Sequence, residues 1–201
     1  MRIVSLVTSL DLLATLAFAL VGARVAASKG LDYGGIFLVA GVSSLAGGTF
    51  RNVFVGKEPP WIYHPWLFFS VLTAVLVTII SNNARPIGRF VLSLDTFGLA
   101  VATVASTNYA VSNGVGVVGS IALGLIGGVT GGLLRDLFCQ VEPVLLHRET
   151  IGTSAILGAA CYVALEKISL PESVTALMSG VVVVLMRELS IKFDWHLPRL
   201  K

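Results

Sequence analysis

Four ionisable residues interrupt long apolar stretches at one repeated spacing: Asp11 and Arg51 stand 40 positions apart, and so do Asp95 and Arg135. Each arginine follows a glycine pair, in Gly47-Gly48-Thr49-Phe50-Arg51-Asn52 and in Gly131-Gly132-Leu133-Leu134-Arg135-Asp136. Charged groups in apolar surroundings are costly, so they pair with one another or face a polar interior. The pattern predicts two equivalent ion pairs, Asp11 with Arg51 and Asp95 with Arg135, each lining or fastening one vestibule. Thr49, Thr130, Asn52, Asp136, Thr150, Thr153 and Ser154 offer further oxygen atoms to a cation or dipolar solute. Glu149 is another candidate, and at the opening of a helix its carboxylate is equally suited to the helix dipole. Covalent chemistry is not indicated, because the sequence has no nucleophile and base pairing, phosphate loop or metal set. Cys139 and Cys161 lack the repeated pairs of a metal or disulfide framework, and His64, His147 and His196 are too dispersed for zinc. An enzyme, a bound metal and a cofactor are not expected.

The elements that must position these charges are membrane helices. Of the 201 residues 55% are hydrophobic and 12% charged, against about 25% charged in a soluble domain. Mean hydropathy is +0.89. This composition excludes a water-soluble domain, and disorder, which needs low hydrophobicity and high net charge. The formal charge is +3, but the bases stand singly between apolar runs, so nucleic acid is a poor partner. The opening Met1-Arg2 and apolar run resemble a signal peptide; Asp11 and the recurrence of the segment later in the chain argue against cleavage. Apolar windows bounded by Gly, Pro and polar residues predict seven spans, over 5–27, 34–55, 64–81, 89–111, 115–138, 149–165 and 173–189. One polytopic domain is expected, all α and integral to the membrane.

An internal repeat organises these spans. At an offset of 84, Ser9-Leu10-Asp11 matches Ser93-Leu94-Asp95, Gly30 matches Gly114, Gly47-Gly48 matches Gly131-Gly132, and Glu58-Pro59 matches Glu142-Pro143. Residues 5–81 form the first copy and 89–165 the second. Each holds three spans, an odd number, so the second copy is inverted. Inverted repeats are a transport architecture, with the solute path at their interface and interrupted helices beside it. The seventh span, 173–189, has no counterpart and serves packing. The glycine pairs have two readings, close helix approach or a kink in the second and fifth spans. Their duplication ahead of an arginine favours the kink. By side, Lys and Arg divide four to ten, which predicts the N-terminus outside and the C-terminus in the cytoplasm. The basic tail, 190–201, is expected to lie on anionic lipid.

The duplicated three-span unit, the Gly-Gly-x-x-Arg-Asn and Gly-Gly-x-x-Arg-Asp motifs and the lone seventh span resemble the prokaryotic branch of the trimeric intracellular cation channels. This is a family of duplicated membrane domains also labelled glycine transporters. The resemblance runs from about Asp11 to Arg187. It implies a homotrimer in the cell inner (plasma) membrane, with a hydrophilic pore through each subunit that conducts potassium and sodium. It further implies that Gly47, Gly48, Gly131 and Gly132 mark the kinks, with Arg51, Arg135 and Asp136 beside the pore. The first copy departs from the pattern in having Asn52 where an acid is expected. The alternative reading is a secondary transporter for a small zwitterion such as glycine, whose carboxylate a half-helix N-terminus could hold.

Overall fold

The computed structural model describes residues 6–81, 88–141, 150–168 and 170–193. Within them eight helices follow one another: α1 (Leu6–Ser28), α2 (Tyr33–Phe54), α3 (Pro60–Tyr63), α4 (Trp66–Ile80), α5 (Arg89–Ser112), α6 (Val117–Phe138), α7 (Thr150–Glu166) and α8 (Glu172–Phe193). Five of them (α1, α2, α5, α6 and α8) are long and apolar enough to cross a membrane, while α4 and α7 are shorter apolar helices. Exposed positions are largely apolar, among them Phe69, Leu72, Leu76, Val118 and Leu177. Buried positions include Ser43, Thr103, Ser106, Thr107, Asn108 and Ser120. A surface of apolar side chains over an interior with many hydroxyls suits lipid as the solvent. This is a multi-pass membrane protein.

The two copies share their local stop signals. Leu31 N–H bonds the Ala26 carbonyl at 3.3 Å and Val115 N–H the Ala110 carbonyl at 3.0 Å, closing α1 and α5 in the same way. The residue preceding each donor is a glycine with positive φ, +74° at Gly30 and +76° at Gly114, as this helix-ending motif demands. The ends of α2 and α6 also correspond: Lys57 N–H returns to the Asn52 carbonyl at 2.8 Å, and Val141 N–H to that of Asp136 at 2.9 Å. Here the copies differ, because the left-handed position holds Gly56 in one and Gln140, at φ 51°, in the other.

Helices α1, α2 and α4 pack as one three-helix unit and α5, α6 and α7 as the other, with α1 against α5 and α2 against α6 between them. Helix α5 is buried on all sides from Gly98 to Asn108, as expected of a helix enclosed by others. Helix α8 lies on α5 and α7 without a counterpart in the first unit. The third span, expected over 64–81, is α4, and a one-turn helix, α3, not expected from the sequence, precedes it; the two are separated at His64, with φ −122° and ψ 70°. Pro65 disfavours helical backbone at the residue before it. Helix α4 has 15 residues, so it spans about 22 Å at 1.5 Å per residue, short of a hydrocarbon core of about 30 Å. The tail beyond Phe193 lies outside the described residues; its first four, Ser190–Phe193, continue α8.

Candidate functional site

Both expected ion pairs form. Arg51 Nη1 and Nη2 donate to the two Asp11 oxygens at 2.8 and 3.0 Å, and Arg135 Nη1 donates to Asp95 Oδ1 at 2.6 Å. Each arginine stands in the last turn of its helix, where a cation complements the helix dipole. Each also turns its Nε to the side chain that follows it: Arg51 to Asn52 Oδ1 at 3.0 Å, Arg135 to Asp136 Oδ1 at 2.8 Å. Asn52 and Asp136 therefore do the same geometric work with different charge.

That difference is balanced from the unrepeated helix. Arg187 of α8 donates from Nη2 to Asp95 Oδ2 at 3.0 Å and from Nε to Thr96 Oγ1 at 2.9 Å. The second cluster thus holds Asp95, Asp136, Arg135 and Arg187, and the first holds Asp11 and Arg51. Among the described residues each set carries equal numbers of positive and negative charges. In the first cluster Arg51 lies over the Tyr109 ring, 4.4 Å from its centroid. Among the described residues the departure at Asn52 thus leaves neither cluster with excess charge, because the acid absent from the first cluster accompanies, in the second, an arginine that the first also lacks. In the sequence Arg187 stands near the end of the seventh span, 173–189, and counts among the ten Lys and Arg of the expected cytoplasmic side. Its structural role follows from α8 continuing to Phe193, which leaves Arg187 buried.

The glycines divide into two roles. A Cβ on Gly47 would overlap the Gly127 carbonyl oxygen, and a Cβ on Gly131 would overlap that of Ser43. At the repeat offset Gly47 becomes Gly131 and Ser43 becomes Gly127, so the two contacts exchange with each other. A pseudo-two-fold axis passes between α2 and α6 at this point. Gly48 and Gly132 instead lie beside the arginines: an added Cβ would stand 4.0 Å from Arg51 Nη2 and 3.8 Å from Arg135 Nη2. Helical conformation persists through both pairs, so an expected kink does not take the form of a break. What Gly47 and Gly131 visibly supply is close approach.

Two cavities flank this axis. One, of about 30 Å³, is lined by Asp11, Ser44, Gly47, Gly48 and Ala102 among others. The second, of about 20 Å³, is lined by Asp95, Gly128, Gly132, Arg135, Asp136 and Arg187 among others. Asp11, Ser44 and Gly48 correspond at the repeat offset to Asp95, Gly128 and Gly132, so the cavities are related by the same axis. Each has room for a water molecule or two.

The remaining candidates sit apart. Thr49 Oγ1 donates to the Leu45 carbonyl at 2.7 Å and accepts from Trp61 Nε1 at 3.0 Å. Thr130 Oγ1 donates to the Ile126 carbonyl. Neither threonine lines either cavity; hydroxyls bonded back by four residues act on helix curvature. Glu149 and the side chain of Thr150 lie outside the described residues. Tyr109, Phe18 and Ser43, which the sequence did not single out, complete the surroundings of the clusters.

Two inverted three-helix units that meet on bare backbone and enclose a charged cavity on each side define the class: an inverted-repeat membrane protein of the channel and transporter kind. A family model described as glycine transporter matches the chain twice, over residues 8–82 and 92–167. The TRIC trimeric intracellular cation channel orthologue from Rhodobacter sphaeroides is 31% identical and superimposes with a TM-score of 0.87 over 94% of this chain and 98% of that one. A prokaryotic TRIC channel crystallised in 0.5 M KCl is 25% identical, with a TM-score of 0.83 over 95% and 98% of the two chains. The UPF0126 inner membrane protein YadS of Escherichia coli (strain K12) is 30% identical over 196 residues, 96% of this chain and 94% of that protein. The chain belongs to this family of duplicated membrane domains, the prokaryotic trimeric intracellular cation channels.

Proposed function

We propose that the protein is a passive channel for monovalent cations, potassium and sodium, working as a homotrimer with a pore through each subunit. The observation that carries this reading is the pair of axis-related cavities, each with a carboxylate on its wall: Asp11 in one, Asp95 and Asp136 in the other. The relatives described as trimeric cation channels support the ion class and the assembly. A cation path needs oxygen ligands that bind weakly enough to release the ion. Here the carboxylates are held by arginine, which tempers their affinity for a passing cation. Helices α2 and α6 commit their carbonyls to the helical ladder, so the ligands are side-chain oxygens and water rather than a carbonyl filter. Discrimination between potassium and sodium is therefore weak.

Leaving out the buried Arg51, Arg135 and Arg187, the remaining Lys and Arg divide three to eight between the two sides. The bias supports a plasma-membrane protein with its N-terminus outside, its C-terminus in the cytoplasm and its basic tail on anionic lipid. The description of the matching family model favours a second reading, a secondary transporter for a small zwitterion such as glycine. Purified protein in planar bilayers and liposomes separates the two. Unitary current steps with similar potassium and sodium conductance are expected; steep potassium preference refutes the ligand argument, and saturable, ion-coupled glycine uptake without current steps refutes the channel.

A further inference from the structure

The side chain of Phe18 lines both cavities. It sits midway along α1, seven residues and so about 10 Å beyond Asp11 along the helix axis. Its ring lies flat on α5 at Gly98, where an added Cβ would meet three ring atoms at 3.2–3.3 Å, and on α6 at Gly131, where a Cβ would stand 3.6 Å away. Ser43 Oγ donates to the Phe18 carbonyl at 3.2 Å, fixing α1 to α2 at this level. The repeat is broken here. The position equivalent to Phe18 is Ala102 and that equivalent to Gly98 is Ala14. Ala14 and Ala102 both line the Asp11 cavity. On one side of the axis two alanines leave space, and on the other a single ring fills it.

We propose that the Phe18 ring is the permeation barrier of each subunit, an apolar plug between two carboxylate-lined vestibules. The inference rests on the channel reading above and names its narrowest point. An aromatic ring offers no oxygen to replace the hydration shell of a cation, and an apolar constriction blocks ions by excluding water. Gly98 and Gly131 are the surfaces the ring must slide across to open the path, and their lack of Cβ atoms leaves it free to do so. Larger residues at either position would pin it.

The test uses the full-length protein in liposomes, with Cys139 and Cys161 replaced by alanine, and two independent readouts. The first is potassium flux. Phe18→Ala raises it several-fold and Phe18→Leu, which keeps more of the core volume, raises it less. Gly98→Ala lowers it. The second is sidedness. Ala14→Cys is exposed to Ag⁺, a thiol-reactive cation, from one face at a time, and protection from later alkylation is measured. With Phe18 present, protection arises from one face; with Phe18→Ala it arises from both. Ala14→Cys reached from both faces with Phe18 in place overturns the proposal. So does parent-level flux in a Phe18→Leu protein that elutes as the parent does. If neither the parent nor Phe18→Ala carries potassium while the labelling still changes from one-sided to two-sided, the ring is a barrier between the cavities and the channel reading falls. If the parent conducts and neither readout responds, the plug falls and the channel reading stands.

Discussion

Arg51→Met strands Asp11, because among the described residues Arg51 donates to both of its carboxylate oxygens. The side chains are 1% and 17% exposed, so the abandoned charge has little water to turn to. Breaking a buried pair from one side costs about 3–5 kcal/mol. Asp11→Asn is milder at about 2–3 kcal/mol, since Arg51 keeps Asn52 Oδ1 and the Tyr109 face, and a cation over an aromatic ring retains up to about 2 kcal/mol. The double variant Asp11→Asn, Arg51→Met removes both charges and leaves a side chain of similar reach, so its loss falls to about 1 kcal/mol. The coupling energy is then at least about 4 kcal/mol, well outside the ~0.5 kcal/mol scatter of independent sites. Reversible unfolding in mixed micelles, followed by far-ultraviolet circular dichroism, gives all three values. Additivity of the two single changes within that scatter would refute the pairing argument.

The second cluster makes a related prediction: Arg187→Met destabilises by about 2–4 kcal/mol, and adding Asp136→Asn recovers most of the loss by restoring charge balance, as read by the same titration. Gly47→Ala and Gly131→Ala each press a methyl group onto a backbone carbonyl and lose about 1–3 kcal/mol. Their losses should match because the axis exchanges them, whereas Gly41→Ala, which opens onto free space, is neutral or gains up to about 1 kcal/mol. Gln140→Gly relieves a left-handed backbone and stabilises by about 0.5–1 kcal/mol, measured as a rise in thermal midpoint in detergent; no rise would argue that Gln140 gains a compensating contact.

The ion pairs were legible in the sequence because charge is rare there, and a rare feature recurring at one offset carries its own register. The same scarcity hid Arg187. Counted with the charges outside the hydrocarbon, it had no repeat partner to mark it as buried, and only the length of α8 reveals where it points. The glycine pairs were legible as special positions but not in their roles. Distinguishing Gly47, which meets backbone, from Gly48, which adjoins the ion pair, requires knowing which face of α2 turns to α6. Phe18 gave no signal, since an aromatic residue in an apolar run has no contrast with its neighbours. The short helix α3 was not legible, because Pro59-Pro60 reads as a break, although proline at the first position of a helix is well tolerated.

The equality of charge among the described residues of each cluster has an electrical consequence. A membrane potential of 100 mV does about 2.3 kcal/mol of work on each elementary charge carried fully across it. A neutral cluster displaced as a unit carries no net charge, so the field does almost no work on it however far it moves. Voltage reaches these groups only by pulling the arginines away from their carboxylates. The same pairing that lets the charges remain within the membrane therefore makes their common movement electrically silent.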